Sequence, residues 1–389
     1  MFLSGLQSPD FRTLCLFRAE HADVLPNLFV EVVRLCASLG MVELGHIAFD
    51  GTKLRANAAL RQNRNKDGLE KEIERIKKEV AQMIESSARI DEIEEQKYHD
   101  GDGSEIAKEF QKKEYRLKRI QEAREILERE KLKRVNITDP ESRLMQDSRR
   151  MIQPSYNGQI AVDDKEQVIV AADVSQNTTD HHEFRPMVEQ VEQNLESLPK
   201  ETSADAGYSS YDNLEYAWQK GLDAYIPDDF LEALDKKEDH EKRYHKSNFR
   251  YDQMGDVYIC PEGKKLRRLQ ELKREGKPPF IIYRGESCRQ CVVKNECTRG
   301  PARRITRDGR EGLLEMMRDK LRSEEGKRIY TKRLYTVEPV FGHIKWNQRM
   351  PMMNLRGLAK VRGEFLLMCL AHNVKKNYEG SARRHCQAV

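Results

Sequence analysis

The sequence predicts a mixed α/β fold, in which a sheet is flanked by helices and interrupted by two insertions. Between residues 136 and 227, runs rich in β-formers alternate with amphipathic helices, a pattern typical of a mixed sheet with crossover helices. Residues 67–135 instead have helical periodicity on a charged background, and residues 228–310 are rich in charge, proline and cysteine. We expect these two segments to be insertions into the sheet domain.

The first part of the chain is predicted to be helical and then to enter the sheet. Over residues 1–44 a proline at a helix start and a glycine at Gly40 delimit two helices. The apolar run that begins at His46 is typical of a buried strand, which we expect to end at Asp50 just before a turn.

The segment 67–135 is predicted to be an antiparallel helical hairpin. Its apolar residues recur at helical spacing on both sides of a break at residues 100–103, where glycine and aspartate alternate. The pattern is coiled-coil-like and favours an arm that mediates dimerisation or braces DNA, although a solvated insert would look the same.

The sheet core is predicted to consist of residues 45–66 and 136–227. A β-hairpin covers residues 157–175, and a helix follows with Asp180 as its N-cap. The next short run leads into Asp205 and a glycine, which repeats the pattern around Asp50.

The charge distribution indicates a partner that is a polyanion. The 389 residues carry a net charge of +4, but residues 1–240 sum to −14 and residues 241–389 to +18. A basic surface of this kind most often binds nucleic acid, although a solvated face of Lys and Arg gives the same composition. No apolar stretch approaches the ~20 residues of a membrane span, and no secretory signal is recognisable, so we expect a cytoplasmic protein.

Four of the eight cysteines are clustered in one segment and include a Cys-x2-Cys pair. Two thiolates in such a turn can bind one tetrahedral ion, and two further cysteines would complete a closed structural zinc site. Free or redox-active thiols are the alternative. The four residues are Cys260, Cys288, Cys291 and Cys297.

Three carboxylates are candidates for a shared metal site. Asp50 and Asp205 each follow a predicted strand, and Glu338 lies in a helical segment seven residues before Lys345. Carboxylates that converge from different elements can hold a pair of Mg²⁺ ions for phosphoryl transfer. Acidic surface residues are common, so this pattern alone also fits an accidental grouping.

Several collinear motifs resemble those of DDE transposases of bacterial insertion sequences, and most closely the insertion sequence 1182 family. The likeness extends over nearly all of residues 9–377. Its motifs are Asp50-Gly51-Thr52-Lys53-Leu54-Arg55, Thr138-Asp139-Pro140-Glu141, Tyr156-Asn157-Gly158-Gln159, Ala204-Asp205-Ala206-Gly207-Tyr208, Cys288-x2-Cys291 and Val337-Glu338-Pro339-Val340-Phe341-Gly342-x-Ile344-Lys345.

The resemblance implies a ribonuclease-H-like catalytic core and a DNA-processing reaction. Asp50, Asp205 and Glu338 would form the acidic triad, with Mg²⁺ or Mn²⁺ as cofactor. The substrates would be double-stranded DNA, namely terminal inverted repeats and target DNA, bound by a homodimer. The residues expected to contact DNA are Lys345, Arg333, Tyr330, Lys53 and Trp346, the last of which could instead pack in the protein.

The resemblance has two departures and leaves one alternative open. Relatives usually have a longer helical N-terminal domain, so residues 1–44 are expected to be the remnant of a DNA-binding domain. One extra residue separates Arg333 from Glu338 compared with a broader transposase signature. The helical residues 311–378 are expected to complete the core before a tail, 379–389. A catalytically inactive remnant that only binds DNA is the alternative to an active enzyme.

Overall fold

The computed structural model describes residues 10–94, 104–147, 149–228, 243–348 and 352–387. Within these ranges no helix has an apolar stretch long enough to cross a membrane. The helices are α1 (Phe11–Glu20), α2 (Leu25–Ser38), α3 (Lys66–Glu94), α4 (Ser104–Arg129), α5 (Phe184–Leu195), α6 (Tyr211–Lys220), α7 (Lys294–Cys297), α8 (Glu311–Arg322), α9 (Glu324–Gly342) and α10 (Leu358–Gln387). The strands are β1 (His46–Arg55), β2 (Asn63–Arg64), β3 (Val135–Asn136), β4 (Arg143–Gln146), β5 (Ile152–Asp163), β6 (Ile169–Ser175), β7 (Glu201–Ser203), β8 (Asp223–Tyr225), β9 (Arg250–Asp252), β10 (Val257–Ile259), β11 (Lys265–Arg274), β12 (Lys277–Gly285) and β13 (Arg304–Asp308).

The first sheet is mixed and has β1 at its centre. Its strand order is β4–β5–β1–β7–β8, and β6 pairs with the second half of β5. β1 is antiparallel to β5 and parallel to β7, and β7 is parallel to β8. The mixed α/β class predicted from the sequence is therefore confirmed.

β1 is longer than the sequence predicted. Its pairing with β5 continues from Ile47 opposite Asp163 to Arg55 opposite Ser155, so the strand does not stop at Asp50. Asp50 lies in the middle of the strand, opposite Ile160. The prediction that Asp50 ends the strand was wrong, because a continuous ladder with β5 carries the chain straight through Gly51.

The main hydrophobic core lies between this sheet and the helices that cover it. Fully buried side chains of β1, β5 and β6 pack against residues of α2, α5, α9 and α10. The strands β5 and β6 are buried along almost their entire length, as expected for strands covered on both faces. Large members of this core are Phe29, Phe49, Tyr156, Phe184 and Phe365.

Helices α3 and α4 pack against each other in the segment for which a hairpin was predicted. Their contact is a separate apolar cluster that includes Leu69, Ile76 and Ile120. Glu72 is largely buried and accepts hydrogen bonds from Arg116, which joins the two helices. β2 and β3 pair at the base of the hairpin, and the predicted turn at residues 100–103 lies outside the described residues.

The second sheet was not predicted from the sequence. It is antiparallel, has the order β13–β12–β11–β10–β9, and occupies the cysteine-rich segment. It has its own apolar cluster, in which Tyr258, Leu266, Tyr283 and Ile305 are at most 2% exposed. Four buried side chains from four strands make this sheet a packed unit rather than a loop-rich insert.

Gly326 provides a test of how α8 and α9 are joined. A Cβ at this position would overlap the backbone carbonyl of Lys320. We therefore expect Gly326→Ala to lower the free energy of unfolding by about 1–3 kcal/mol, although alanine normally favours a helix. Chemical denaturation would measure the change.

Gly312 in α8 is the matched control, because a Cβ there would meet nothing within 4 Å. Gly312→Ala should be neutral or stabilise the protein by up to about 1 kcal/mol. Equal effects of the two substitutions would contradict the tight junction.

Candidate active site

Two of the predicted carboxylates come from neighbouring strands. Asp50 lies on β1, and Asp205 follows the end of β7, which pairs in parallel with β1 through Ala48 and Ser203. The Asp205 side chain accepts a hydrogen bond of 2.9 Å from the backbone N–H of Gly207 and so caps a short 3-10 turn. The parallel pairing brings both acids to the same region of the sheet, where the charge of Asp205 acts on Asp50.

A third carboxylate, Asp180, lies beside this pair and was missed as a site residue. The sequence pattern predicts Asp180 as an N-cap, but α5 begins later, with Glu183 at its N-cap. Asp180 Oδ1 instead accepts hydrogen bonds from Asn157 Nδ2 at 2.6 Å and Gln159 Nε2 at 2.8 Å. Asn157 and Gln159 lie in one of the motifs quoted above, and their two buried amides are a signal that a hydrogen-bond acceptor faces β5.

Two glycines permit the close approach of Asp180. A Cβ on Gly51 would lie 2.8 Å from Asp180 Oδ1, and a Cβ on Gly207 would lie 3.3 Å from Asp180 Oδ2. The Gly207 Cβ would also lie 2.9 Å from Asp205 Oδ1. Asp180 therefore fills the space between the strand that carries Asp50 and the turn that follows Asp205.

Arg333 on α9 is the cation that faces Asp50. Its Nη1 lies 3.4 Å from Asp50 Oδ2, and both side chains are mostly buried. Burial acts to lower the pKa of Arg333, but the negative charges of Asp50 and Asp205 and the contact with Tyr330 raise it overall. The guanidinium thus remains charged, and its Nε is buried without a hydrogen-bond partner among the described residues.

The environment raises the pKa of Asp50 to about 7. Burial is the largest cause, and the charges of Asp205 and Asp180 add to it. Arg333 and the backbone N–H of Gly51 act in the opposite direction. Asp50 therefore lies in a buried site that disfavours its charged form, which an additional cation would stabilise.

Two predicted DNA-contacting lysines border this acidic pocket. Lys53 Nζ, on β1, lies 3.5 Å from Asp180 Oδ1. Lys345, in the π-helical turn after α9, lies near Asp50 and Asp147, whose charges partly offset the lowering of its pKa by burial. Both ammonium groups therefore lie near the carboxylates, where they are positioned to bind a phosphate group.

The two predicted aromatic contacts differ in exposure. Tyr330 is partly buried, and its ring lies 5.7 Å from the guanidinium of Arg333. Trp346 is 71% exposed, which argues against the packing role considered for it. Its contact with DNA remains a prediction.

Glu338 is not brought into contact with the aspartates. It lies on α9 with an exposed side chain, and within the described ranges that side chain has no hydrogen bond or ion pair. Arg333, five residues earlier on the same helix, occupies the side that faces Asp50. Across the described residues no three His, Cys, Asp or Glu side chains are arranged to hold a metal ion, so the triad remains a prediction.

The four clustered cysteines line one small cavity in the second sheet. The cavity has a volume of about 30 Å³, and Cys260, Cys288, Cys291 and Cys297 all face it. Burial raises the pKa of Cys297, Arg303 opposes this, and the other three thiols raise it further. The sulfurs are close enough to influence one another, although in the described structure they are not arranged as a ready metal site.

The raised pKa of Asp50 predicts a pH-dependent stability of the protein without bound metal. From about pH 4 to pH 7 the unfolded chain has lost the Asp50 proton while the folded chain keeps it. The folded state therefore loses stability as pH rises through this window, by up to about 1.4 kcal/mol per pH unit. We expect Asp50→Asn to abolish this loss. The free energy of unfolding of the variant minus that of wild type should therefore increase up to about pH 7 and then level off.

Denaturation in EDTA at a series of pH values would measure this difference. Asp319→Asn is the control, because the Asp319 side chain is 78% exposed and should show no such trend. Parallel curves for wild type and Asp50→Asn would contradict the assigned environment of Asp50.

Comparison with known families gives one match. Residues 259–378 match the family model of a transposase DDE domain. The matched segment contains Glu338 and Lys345 and covers just under a third of the chain. No curated protein sequence and no solved structure matches the chain. The match supports the assignment of the chain as a DDE-type transposase.

Proposed function

We propose that this protein is a metal-dependent DDE transposase that cleaves DNA at the ends of an insertion sequence and transfers the strand to a target. The observation that carries the proposal is the meeting of two parts of the chain. The aspartates lie on the first sheet, and Arg333 and Lys345, which face Asp50, come from the segment that matches the transposase domain.

The order of the strands supports a ribonuclease-H-like core. Three antiparallel strands, β6, β5 and β1, are followed laterally by β7 and β8, which run parallel to β1. In open sheets that contain parallel strands, ligands bind beyond the carboxyl ends of those strands. Asp205 lies at such an end, next to the central strand that carries Asp50.

The donor chemistry at this site fits Mg²⁺. Asp50 and Asp205 carry the hard carboxylate oxygens that Mg²⁺ prefers, and burial, together with the charges of Asp205 and Asp180, raises the pKa of Asp50. The buried Oδ1 of Asn157 also has no partner in the described structure. Divalent ions bound there would activate the attacking oxygen and stabilise the leaving oxygen of an in-line phosphoryl transfer. In our proposal Asp50 and Asp205 would hold the metal, and Glu338, whose side chain is exposed on α9, would complete the ligand set.

The remaining side chains position the acids and the substrate. Asp180 holds Asn157 and Gln159 in place and fixes the distance between β1 and the turn that follows β7. Lys53 and Lys345 would bind the phosphates that flank the scissile bond, and Arg333 keeps Asp50 oriented. Tyr330 supports Arg333, and Trp346 is available to stack on an unpaired base.

We further propose that the protein acts on terminal inverted repeats, that it works as a homodimer and that it belongs to the insertion sequence 1182 family. These proposals rest on the resemblance of the motifs. The helical hairpin α3–α4 is the candidate for the dimer contact or for a brace on the DNA. No observation favours a remnant that only binds DNA.

Strand cleavage by an aspartate variant tests the proposed function. The substrate is duplex DNA that carries the terminal inverted repeat of the element in Mg²⁺ buffer. We expect Asp205→Asn to slow cleavage about a hundredfold or more, because a lost metal ligand costs several kcal/mol of transition-state stabilisation. Gel analysis of end-labelled DNA measures the rate.

Three further variants sharpen this test. Glu338→Gln should match Asp205→Asn, whereas Asp180→Asn should reduce the rate by about ten- to a hundredfold, as expected for a residue that positions a ligand. Asp319→Asn should cleave like wild type. Wild-type protein that does not cleave this DNA, or Asp205→Asn that cleaves it at the wild-type rate, would refute the proposal.

We also propose that the four clustered cysteines bind a structural zinc ion. A closed tetrahedral site of thiolates suits their shared cavity, since its volume is that of a single small group. Protein purified from zinc-supplemented cells should contain about one zinc per chain, measured by mass spectrometry of the metal. Cys288→Ser and Cys291→Ser should remove most of it and lower the Tm.

Cys15→Ser is the control for this measurement, because Cys15 lies on α1, outside the cavity. It should leave the zinc content unchanged. Zinc-free wild-type protein would show that these thiols are free, and a full zinc content in Cys288→Ser would show that the zinc is bound elsewhere.

A further inference from the structure

Three arginines form a row across the second sheet. In the strand register Arg267 of β11 lies opposite Arg284 of β12, and Arg284 lies opposite Arg304 of β13. Residues that are directly opposite on neighbouring strands share a face and have Cβ atoms about 4.5–5.5 Å apart. The three guanidinium groups therefore start from adjacent positions on one line that crosses three strands.

This arginine row is on the solvent face of the sheet. The neighbouring residues Leu266, Tyr283 and Ile305 are at most 2% exposed and form the core of the opposite face. Because side chains alternate along a strand, Arg267, Arg284 and Arg304 point the other way. Arg267 and Arg304 are exposed, and Arg284 is partly exposed.

Few acidic side chains neutralise the positive charge of the row. Glu286 forms an ion pair of 2.9 Å with Arg267. Within the described ranges the side chains of Arg284 and Arg304 make no ion pair or hydrogen bond. Arg289, equally unpaired there, lines the same open cleft of about 370 Å³ as Arg267 and Arg284. Like charges directly opposite each other destabilise a sheet, so the fold alone gives no reason for this arrangement.

We propose that the arginine row binds the phosphate backbone of double-stranded DNA. Guanidinium groups bind phosphate oxygens in a bidentate manner, which matches an unpaired arginine to this partner. With strands about 4.8 Å apart the row is about 10 Å long, which is enough to reach neighbouring phosphates of one DNA strand. The choice of DNA among polyanions rests on the proposed function.

Contacts with phosphates predict binding that does not depend on sequence. We would measure the affinity of the full chain for a fluorescent duplex of mixed sequence, without an inverted repeat, by anisotropy at several salt concentrations in EDTA. Arg284→Gln and Arg304→Gln should each weaken binding several-fold and lower the slope of log K against log salt by about 0.9. The Tm of both variants should not fall, because a repulsive pair has been removed.

Two control variants distinguish an effect of the arginine row from an effect of the total charge of the protein. Lys273→Gln removes one exposed charge from β11 outside the row and should leave the slope unchanged. Arg284→Lys keeps the charge and should retain most of the slope. An unchanged slope in Arg284→Gln and Arg304→Gln, or an equal fall in Lys273→Gln, would overturn the proposal.

The outcome is separable from that of the cleavage assay. Binding in EDTA requires no metal-dependent step, so loss of the slope supports the row even when no cleavage is found. Cleavage with an intact slope in both arginine variants would refute the row alone.

Discussion

The central strand β1 pairs with two neighbours of opposite direction, and the geometry of the site depends on this double pairing. The antiparallel ladder with β5 places Asp50 opposite Ile160, and the parallel ladder with β7 brings Asp205 to the same region of the sheet. The two ladders could not form together if β1 were an edge strand. The backbone hydrogen bonds of paired strands thus position the acids, and such strands are more rigid than loops.

Crowded carboxylates at the centre of the molecule are balanced by cations that come from elsewhere in the chain. Arg333 and Lys345 both come from the region after the second sheet, more than 270 residues beyond Asp50. The position of α9 therefore controls the electrostatic state of a strand distant in sequence. A displacement of α9 would remove the Arg333 charge that lowers the pKa of Asp50, while the charges of Asp205 and Asp180 that raise it would remain.

Periodicity in the sequence was enough to predict the mixed class and the helices of the hairpin, because both patterns are local. Asp180 was misassigned because aspartate before a helix resembles an N-cap, whereas its partners on β5 are more than 20 residues away. The second sheet was missed for another reason. Almost every residue of β11 is exposed, so the strand lacks the alternation of apolar and polar residues that reveals a half-buried strand. The orientation of Glu338 depends on the packing of α9, which no local pattern contains.

The two faces of strand β12 require different kinds of residue. Tyr283 fills the core, Arg284 belongs to the outer row, and Gly285 must lack a side chain because a Cβ there would overlap Cys288 Sγ. Insertion or deletion of one residue in this strand would exchange the faces, which would bury an arginine and expose a tyrosine. The length of β12 is therefore as constrained as its composition, and sequence drift in this region should proceed by substitution and not by change of length.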